Sequence, residues 1–321
     1  MYKICIMYDS VNFWLDRTQG INFDAVANRL QSARETIDRN TGEIWTYGNL
    51  ENLRATISMA GVSIKGSLAK YYFPNNAYTL NRHQVREAVE KLSDDLGLPM
   101  DKARITRVDV STNFIMTHPT PMYFGALGMC RYYNRVQATN NTLYYHLKGL
   151  DCKKSMCFYD KARESQANKI ALPGVFEETN LLRYESRWNG RLPQQFKEPQ
   201  VLGETLSDRR FYNKALHGWA DNYFNIEKKK KLKFDAMQNI KNVGDAVNYI
   251  CAFAIGRLPT DEVQEVLDEL TTNKVFGNNR TYYTRLRQKV KQLTNNTNIM
   301  EDDELIKELD GEVNNILAYC R

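Results

Sequence analysis

Long apolar runs are missing from this 321-residue sequence. The longest, YICAFAIG at 249–256, falls far short of the ~20 residues that cross a bilayer, which excludes a helical membrane span. Paired cysteines are missing too. The six (Cys5, Cys130, Cys152, Cys157, Cys251 and Cys320) are scattered and none stands in a CxxC pair, so neither a structural zinc site nor a disulfide framework is expected. A reducing, cytosolic setting fits that usage. The opening MYKICIMYDS is one short apolar stretch without a cleavage-site pattern, so no secretory leader is expected. There is no internal repeat, and no low-complexity tract beyond one lysine run. Charge of one sign is only mildly in excess, at +6. Residues 226–321 hold 15 basic and 15 acidic side chains, so the whole excess lies in 1–225. It admits a polyanionic partner and fits a solvated surface equally well.

The length suits two domains. Residues 1–225 mix strands and helices. YKICIMY (2–8) reads as a buried strand, DAVANRLQSAR (24–34) has helical spacing, and LENLRATISM with VSIKGSLAK forms a hairpin. NRHQVREAVEKLSDDLGL (81–98) is an amphipathic helix, capped by Asn81 and stopped at Gly97 and Pro99. ARITRVDVSTNFIM (103–116) is a long strand. TLYYHLK and KSMCFYDK make a hairpin around Gly149, NLLRYESRW (180–188) is another strand, and a helix follows at about 205–224. The order suggests an α+β fold, a largely antiparallel sheet flanked by helices. The charge run at 226–233 reads as a basic linker, and 234–321 as a small all-helical C-terminal domain.

Side chains alternate across a strand, so each strand has two faces. One face of 105–114 carries Arg107, Asp109, Ser111 and Asn113; one face of 143–148 carries Tyr144, His146 and Lys148; one face of 182–188 carries Arg183, Glu185 and Arg187. The opposite faces are mostly apolar, and Tyr145 lies among them beside Leu143 and Leu147. A sheet with one face in water explains the polarity. It explains less well the choice of two carboxylates, a tyrosine, a histidine and four cations. If the strands are neighbours, Asp109 and Glu185 could share one divalent ion through oxygen ligands. Tyr144 would then stand beside the ion as a nucleophile, and the cations would line a phosphate chain's approach.

The segments TRVDVSTNF (106–114), TLYYHLK…FYDK (142–161) and LLRYESRWNGRLP (181–193) resemble the rolling-circle replication initiators of the Rep-trans type and the related phage and plasmid replication proteins of the II/X type. Those families carry an R-x-D strand, a T-x-Y-x-G-x-R segment leading to Y-D-K, and an R-x-E strand, in that order. The resemblance implies a strand-nicking and strand-transferring endonuclease with Mg²⁺ or Mn²⁺ bound by Asp109 and Glu185. Tyr144 would be the nucleophile, Lys161 would lie near the cleaved strand, and a 3′-OH would be left as primer. Here His146 replaces the glycine and Lys148 the arginine. The doubled tyrosine keeps Tyr145 as the alternative nucleophile, and His146 is a weak third-ligand candidate. There is no His-x-His pair, so the chain is not a His-hydrophobe-His nickase. The implied partner is origin DNA, single-stranded at the nick and duplex nearby, in a bacterial cytoplasm; a host helicase and a homodimer are compatible with it. Arg107, Lys148, Arg183 and Arg187 are the DNA-contact candidates around the site.

Arg285 and Arg287, on the basic helix RTYYTRLRQKVKQL (280–293), are candidates for duplex contact, set against pairing with EDDELIKELDGE (301–312). Two other classes stay open: a non-catalytic sequence-specific DNA-binding protein, and a metal nuclease that uses water. A tyrosine recombinase is disfavoured, because its Arg…His-x-x-Arg…Tyr order is absent.

Overall fold

The computed structural model describes residues 7–17, 22–139, 141–149, 153–258 and 260–319. In chain order the first part runs β1 (Met7–Asp16), α1 (Phe23–Ala27), β2 (Gln31–Ile37), β3 (Ile44–Leu50), β4 (Leu53–Ile57), β5 (Gly61–Ser67), α2 (Leu68–Tyr72) and α3 (Arg82–Leu96). Then come β6 (Arg104–Met116), α4 (Thr120–Ala126), β7 (Leu127–Cys130), β8 (Tyr133–Thr139), β9 (Thr142–Leu147), β10 (Lys154–Asp160), α5 (Lys161–Ala167), β11 (Asn180–Asn189), α6 (Leu192–Phe196) and α7 (Arg209–Phe224). The remainder is β12 (Ile226–Lys228), β13 (Lys230–Leu232), α8 (Val243–Arg257), α9 (Thr260–Thr272), α10 (Arg280–Thr294), β14 (Met300–Asp302) and α11 (Glu304–Tyr319).

Ten strands form one sheet in the order β2-β3-β4-β5-β1-β6-β11-β10-β9-β8. Each neighbouring pair is antiparallel, so the expected α+β class with an antiparallel sheet is what the chain adopts. The order repeats a scheme that the sequence conceals. An inner strand (β1 or β6) is followed by a four-strand meander whose last strand (β5 or β11) returns to pair with it. The two inner strands pair with each other, with a bulge between Tyr8 and Val11.

Alternation explains which side packs. Val108, Val110 and Phe114 of β6, Leu143 and Tyr145 of β9, and Leu182, Tyr184 and Trp188 of β11 lie in one core. Helix α7 covers them with Phe211, Ala215, Leu216, Trp219 and Tyr223, a helical stripe facing the sheet. Each of the larger aliphatic and phenyl side chains contributes about 1.5–3 kcal/mol on burial. Helix α3 is the amphipathic helix read from the sequence. Asn81 makes a full capping box with Gln84, and Gly97 closes the helix at φ 64°.

Residues 24–34 do not continue as a helix. Helix α1 ends at Ala27, and β2 starts at Gln31 as an edge strand with every side chain exposed. Val26 and Leu30 are both buried, so the spacing marked core contacts and not a continuous helix. Most of the expected strand at 2–8 lies outside the described residues.

The lysine run is not a solvated connector. Strand β12 pairs with β7, and β13 pairs with β14. Lys228 reaches Asp310, and Lys231 reaches Glu301 and Glu304. The acidic segment therefore neutralises the lysine run, while Arg287 of α10 pairs with Asp268 of α9. Helices α8–α10 bury few side chains. Helix α11 instead belongs to the main core through Ile306, Leu309, Val313 and Ile316, so residues 234–321 do not act as one separate packing unit.

Candidate active site

Register across β9, β10, β11 and β6 sets the polar side chains in rows perpendicular to the strands. One row is Thr142, Tyr159, Arg183 and Asn113; the next is Tyr144, Cys157, Glu185 and Ser111; the third is His146, Ser155, Arg187 and Asp109. Successive rows differ by two residues, so all three lie on the face away from α7. Strands lie about 4.8 Å apart, which separates the Tyr144 and Glu185 backbones by about 10 Å and those of His146 and Asp109 by about 14 Å.

Glu185 is the most heavily held group. Its Oε1 accepts from Arg183 Nε and from Tyr159 Oη, both at 2.8 Å. Its Oε2 accepts from Arg187 Nη2 at 2.6 Å and Nε at 3.0 Å. Burial alone would raise this carboxyl; the charges of Arg183 and Arg187 outweigh it and hold Glu185 down at about 2. Asp109 is also buried. Arg107 grips it through both oxygens, at 2.9 and 2.6 Å. Burial pushes Asp109 up to about 6, and Arg107 offsets only part of that cost.

Arg183 is completely buried and cannot touch DNA, contrary to the sequence expectation. It lies under a strap from the first half of the chain. Its Nη1 donates to the Asn76 carbonyl at 2.9 Å, and its Nη2 donates to Asp9 Oδ2 at 2.8 Å and Ser111 Oγ at 2.7 Å. Sequence reasoning missed Asp9 and Asn76. A charged residue inside the apolar run IMYDSV was the available signal, since a buried carboxylate requires a partner. Lys161 is likewise 1% exposed, its Nζ on Asn76 Oδ1 at 2.9 Å and Glu164 Oε2 at 2.5 Å. It therefore supports the site from below, through Asn76 and through its charge beside Arg183 and Asp9, and does not reach a cleaved strand.

The two tyrosines part company. Tyr144 is half-buried on the polar face, its ring stacked on His146 with centroids 5.4 Å apart. Burial raises its hydroxyl above the ordinary phenol value. Tyr145 is fully buried on the opposite face, donates to the Gly128 carbonyl at 2.7 Å and packs on Phe158. That placement removes it as an alternative nucleophile. Between Tyr144 and Glu185 stands Cys157, buried and pushed up to about 12 by that burial.

Lys148 is exposed just beyond β9, and Arg107 and Arg187 are partly exposed beside the carboxylates. Arg285 and Arg287 lie on α10, outside this face. The carboxylate pair suits a small hard cation that takes one or two protein carboxylates and completes its shell with phosphate and water. Asp109, the less compensated of the two, gains most from such a cation. His146 stands too far along its row to serve as a third ligand. Among the described residues no three metal-ligating side chains cluster.

Fold and site define an α+β protein with a carboxylate–arginine centre on the face of one large antiparallel sheet. Residues 7–244 match the Phage CRI family, described as the N-terminal part of a replication-associated protein, and the chain belongs to that family. The resemblance read from the three strand motifs leads to the same place: a protein of DNA replication. Among solved structures the chain is similar to the rolling circle replication initiator protein from Geobacillus stearothermophilus, at 10% identity and a TM-score of 0.38, over 77% of this chain and 95% of that one. A comparison with curated proteins finds no match. No helix among the described residues is long and apolar enough to cross a membrane.

Proposed function

We propose that the chain starts rolling-circle replication by nicking one origin strand with Tyr144 and later rejoining it. The row Tyr144–Cys157–Glu185, with Asp109 on the neighbouring strand, is the observation that carries this reading. A phosphodiester laid over Cys157 meets the phenol on one side and the carboxylates on the other. Tyr144 Oη bonds to phosphorus and releases its proton. The bond to the 3′ oxygen breaks, that oxygen takes up a proton, and the 5′ phosphate stays on the tyrosine.

The raised phenol means that Tyr144 is not activated in the resting protein. Asp109 and Glu185 would hold Mg²⁺ or Mn²⁺, which would supply charge neutralisation at the phosphoryl group and the leaving oxygen. Arg183 keeps Glu185 ionised and oriented. Arg107 and Arg187, partly exposed, release the carboxylates and turn to the phosphate chain. Lys148 extends the cationic approach at the edge of this face.

The test is a denaturing gel. The protein is incubated with Mn²⁺ and single-stranded oligonucleotides from its own gene's flanks, and any protein–DNA adduct is mapped by mass spectrometry. An adduct on Tyr144 that requires Asp109 supports the proposal. Cleavage that leaves no adduct and survives Tyr144→Phe makes the protein a water-using nuclease, and tight duplex binding without any cleavage makes it a binding protein.

A further inference from the structure

On the opposite face of the sheet from Glu185, at the end of β10 and β11 where Lys154 pairs with Trp188, a cleft of about 940 Å³ opens between α6 and the start of α7. Its floor is Trp188, with Lys154 Nζ 5.7 Å from the ring centroid. Its rim is basic: Lys197, Arg209, Arg210 and His217 are all exposed around it. Some of the local charge is already satisfied. Lys214 pairs with Glu198, Lys154 faces Asp221, and Asp208 is used as the α7 cap, accepting from the Phe211 N–H at 2.9 Å. Lys197, Arg209 and Arg210 have no ion-pair or side-chain hydrogen-bond partner among the described residues.

Two arginines at the first two positions of a 16-residue helix oppose its dipole, and no acidic residue stands in that first turn. Cations there cost stability, and the positive end of the helix favours an anion. Lys197 caps α6 in the left-handed conformation at φ 53°, a strained place for a lysine. Local stability explains none of the three.

We propose that this cleft binds the phosphate backbone of duplex DNA next to the nick, an inference that rests on the DNA-nicking reading above. Backbone contact to a duplex is favoured over capture of a single strand. The aromatic rings of the cleft, Trp188 and Phe196, are buried beneath the cations and offer no free face for unpaired bases. The position also fits. Trp188 and Arg187 are consecutive on β11, one facing the cleft and one the carboxylates, so a duplex lying across this end of the sheet reaches both.

The test compares the full chain with a Lys197→Ala/Arg209→Ala/Arg210→Ala triple variant. Fluorescence anisotropy follows binding to a labelled duplex and to a single strand of equal length, without metal, across a salt series. Three lost phosphate contacts reduce the slope of log K against log salt by roughly 3 for the duplex and weaken duplex binding at least about tenfold. Single-strand binding and adduct formation on a short oligonucleotide stay as in the wild type. The variant's thermal midpoint does not fall, which keeps misfolding apart from lost contact. An unchanged duplex slope, or an equal loss on the single strand, overturns the cleft assignment. If the wild type forms no adduct but its duplex slope still depends on these three residues, the nicking reading fails and the cleft stands.

Discussion

The two halves of the sheet share a strand order and differ in what they do with it. In each, an inner strand carries an aspartate: Asp9 on β1 and Asp109 on β6. Two residues further on, Val11 faces Gly66 of β5, whereas Ser111 faces Glu185 of β11. The row through Asn12, Lys65, Arg54 and Asn49 in the first half is polar but has no carboxylate. The second half holds the candidate chemistry, and the first half serves it as a buttress. Asp9 and the strap at Asn76 exist, in energetic terms, to keep Arg183 buried beside Glu185. A strand order can be repeated while its reactive face is used once.

Substitutions can break that asymmetry. The largest effect is expected at the proposed nucleophile: Tyr144→Phe cuts adduct formation by about a thousandfold or more, while Tyr47→Phe on β3 leaves it within about twofold, both read from the denaturing gel. Next comes the joint between the halves. Arg183→Ala leaves Asp9 and Glu185 buried without their shared cation, which costs about 3–5 kcal/mol in urea denaturation. An equal loss in Asp9→Ala would show that the first half carries half of this clamp.

Asp109→Asn sharpens the comparison through pH. The folded chain holds the Asp109 proton more tightly than the unfolded chain, with a value of about 6. The stability this confers is full below about pH 4 and is lost as pH rises through about 6, on the order of 2–3 kcal/mol. The Asn variant loses that slope between pH 4 and 7. Glu185, held down at about 2, contributes stability that is lost progressively as pH falls from about 4.5 toward 2, so the Asp109 slope is read free of it above about pH 5. The smallest effect belongs to Tyr145→Phe, which loses the Gly128 hydrogen bond and about 1 kcal/mol of stability yet still forms the adduct.

Much of this was legible. Alternation put Asp109, Tyr144 and Glu185 on one side and Tyr145 on the other, and the structure keeps that division. The capped helix at 82–96 and the strands β6, β9, β10 and β11 followed from local pattern alone. What escaped was long-range. Arg183 shares its face with Glu185, as read, but that part of the face is roofed by Asn76, 107 residues earlier. No local rule distinguishes a charged face in water from one covered by a distant loop. The lysine run misled for the same reason, because its acidic partners arrive more than 70 residues later. Lys161 was expected at the surface by motif, and burial turned it into a strut.

The pairing of β13 with β14 has a further consequence. Leu232 lies opposite Met300, so the chain departs for α8–α10 and comes back at the same place. Residues 233–299 are thus a cassette, with both seams zipped side by side before the last helix returns to the core. A short turn in its place would keep the two strand ends side by side but uncover Leu232 and Met300, which pack against Ala236, Tyr249 and Ala252.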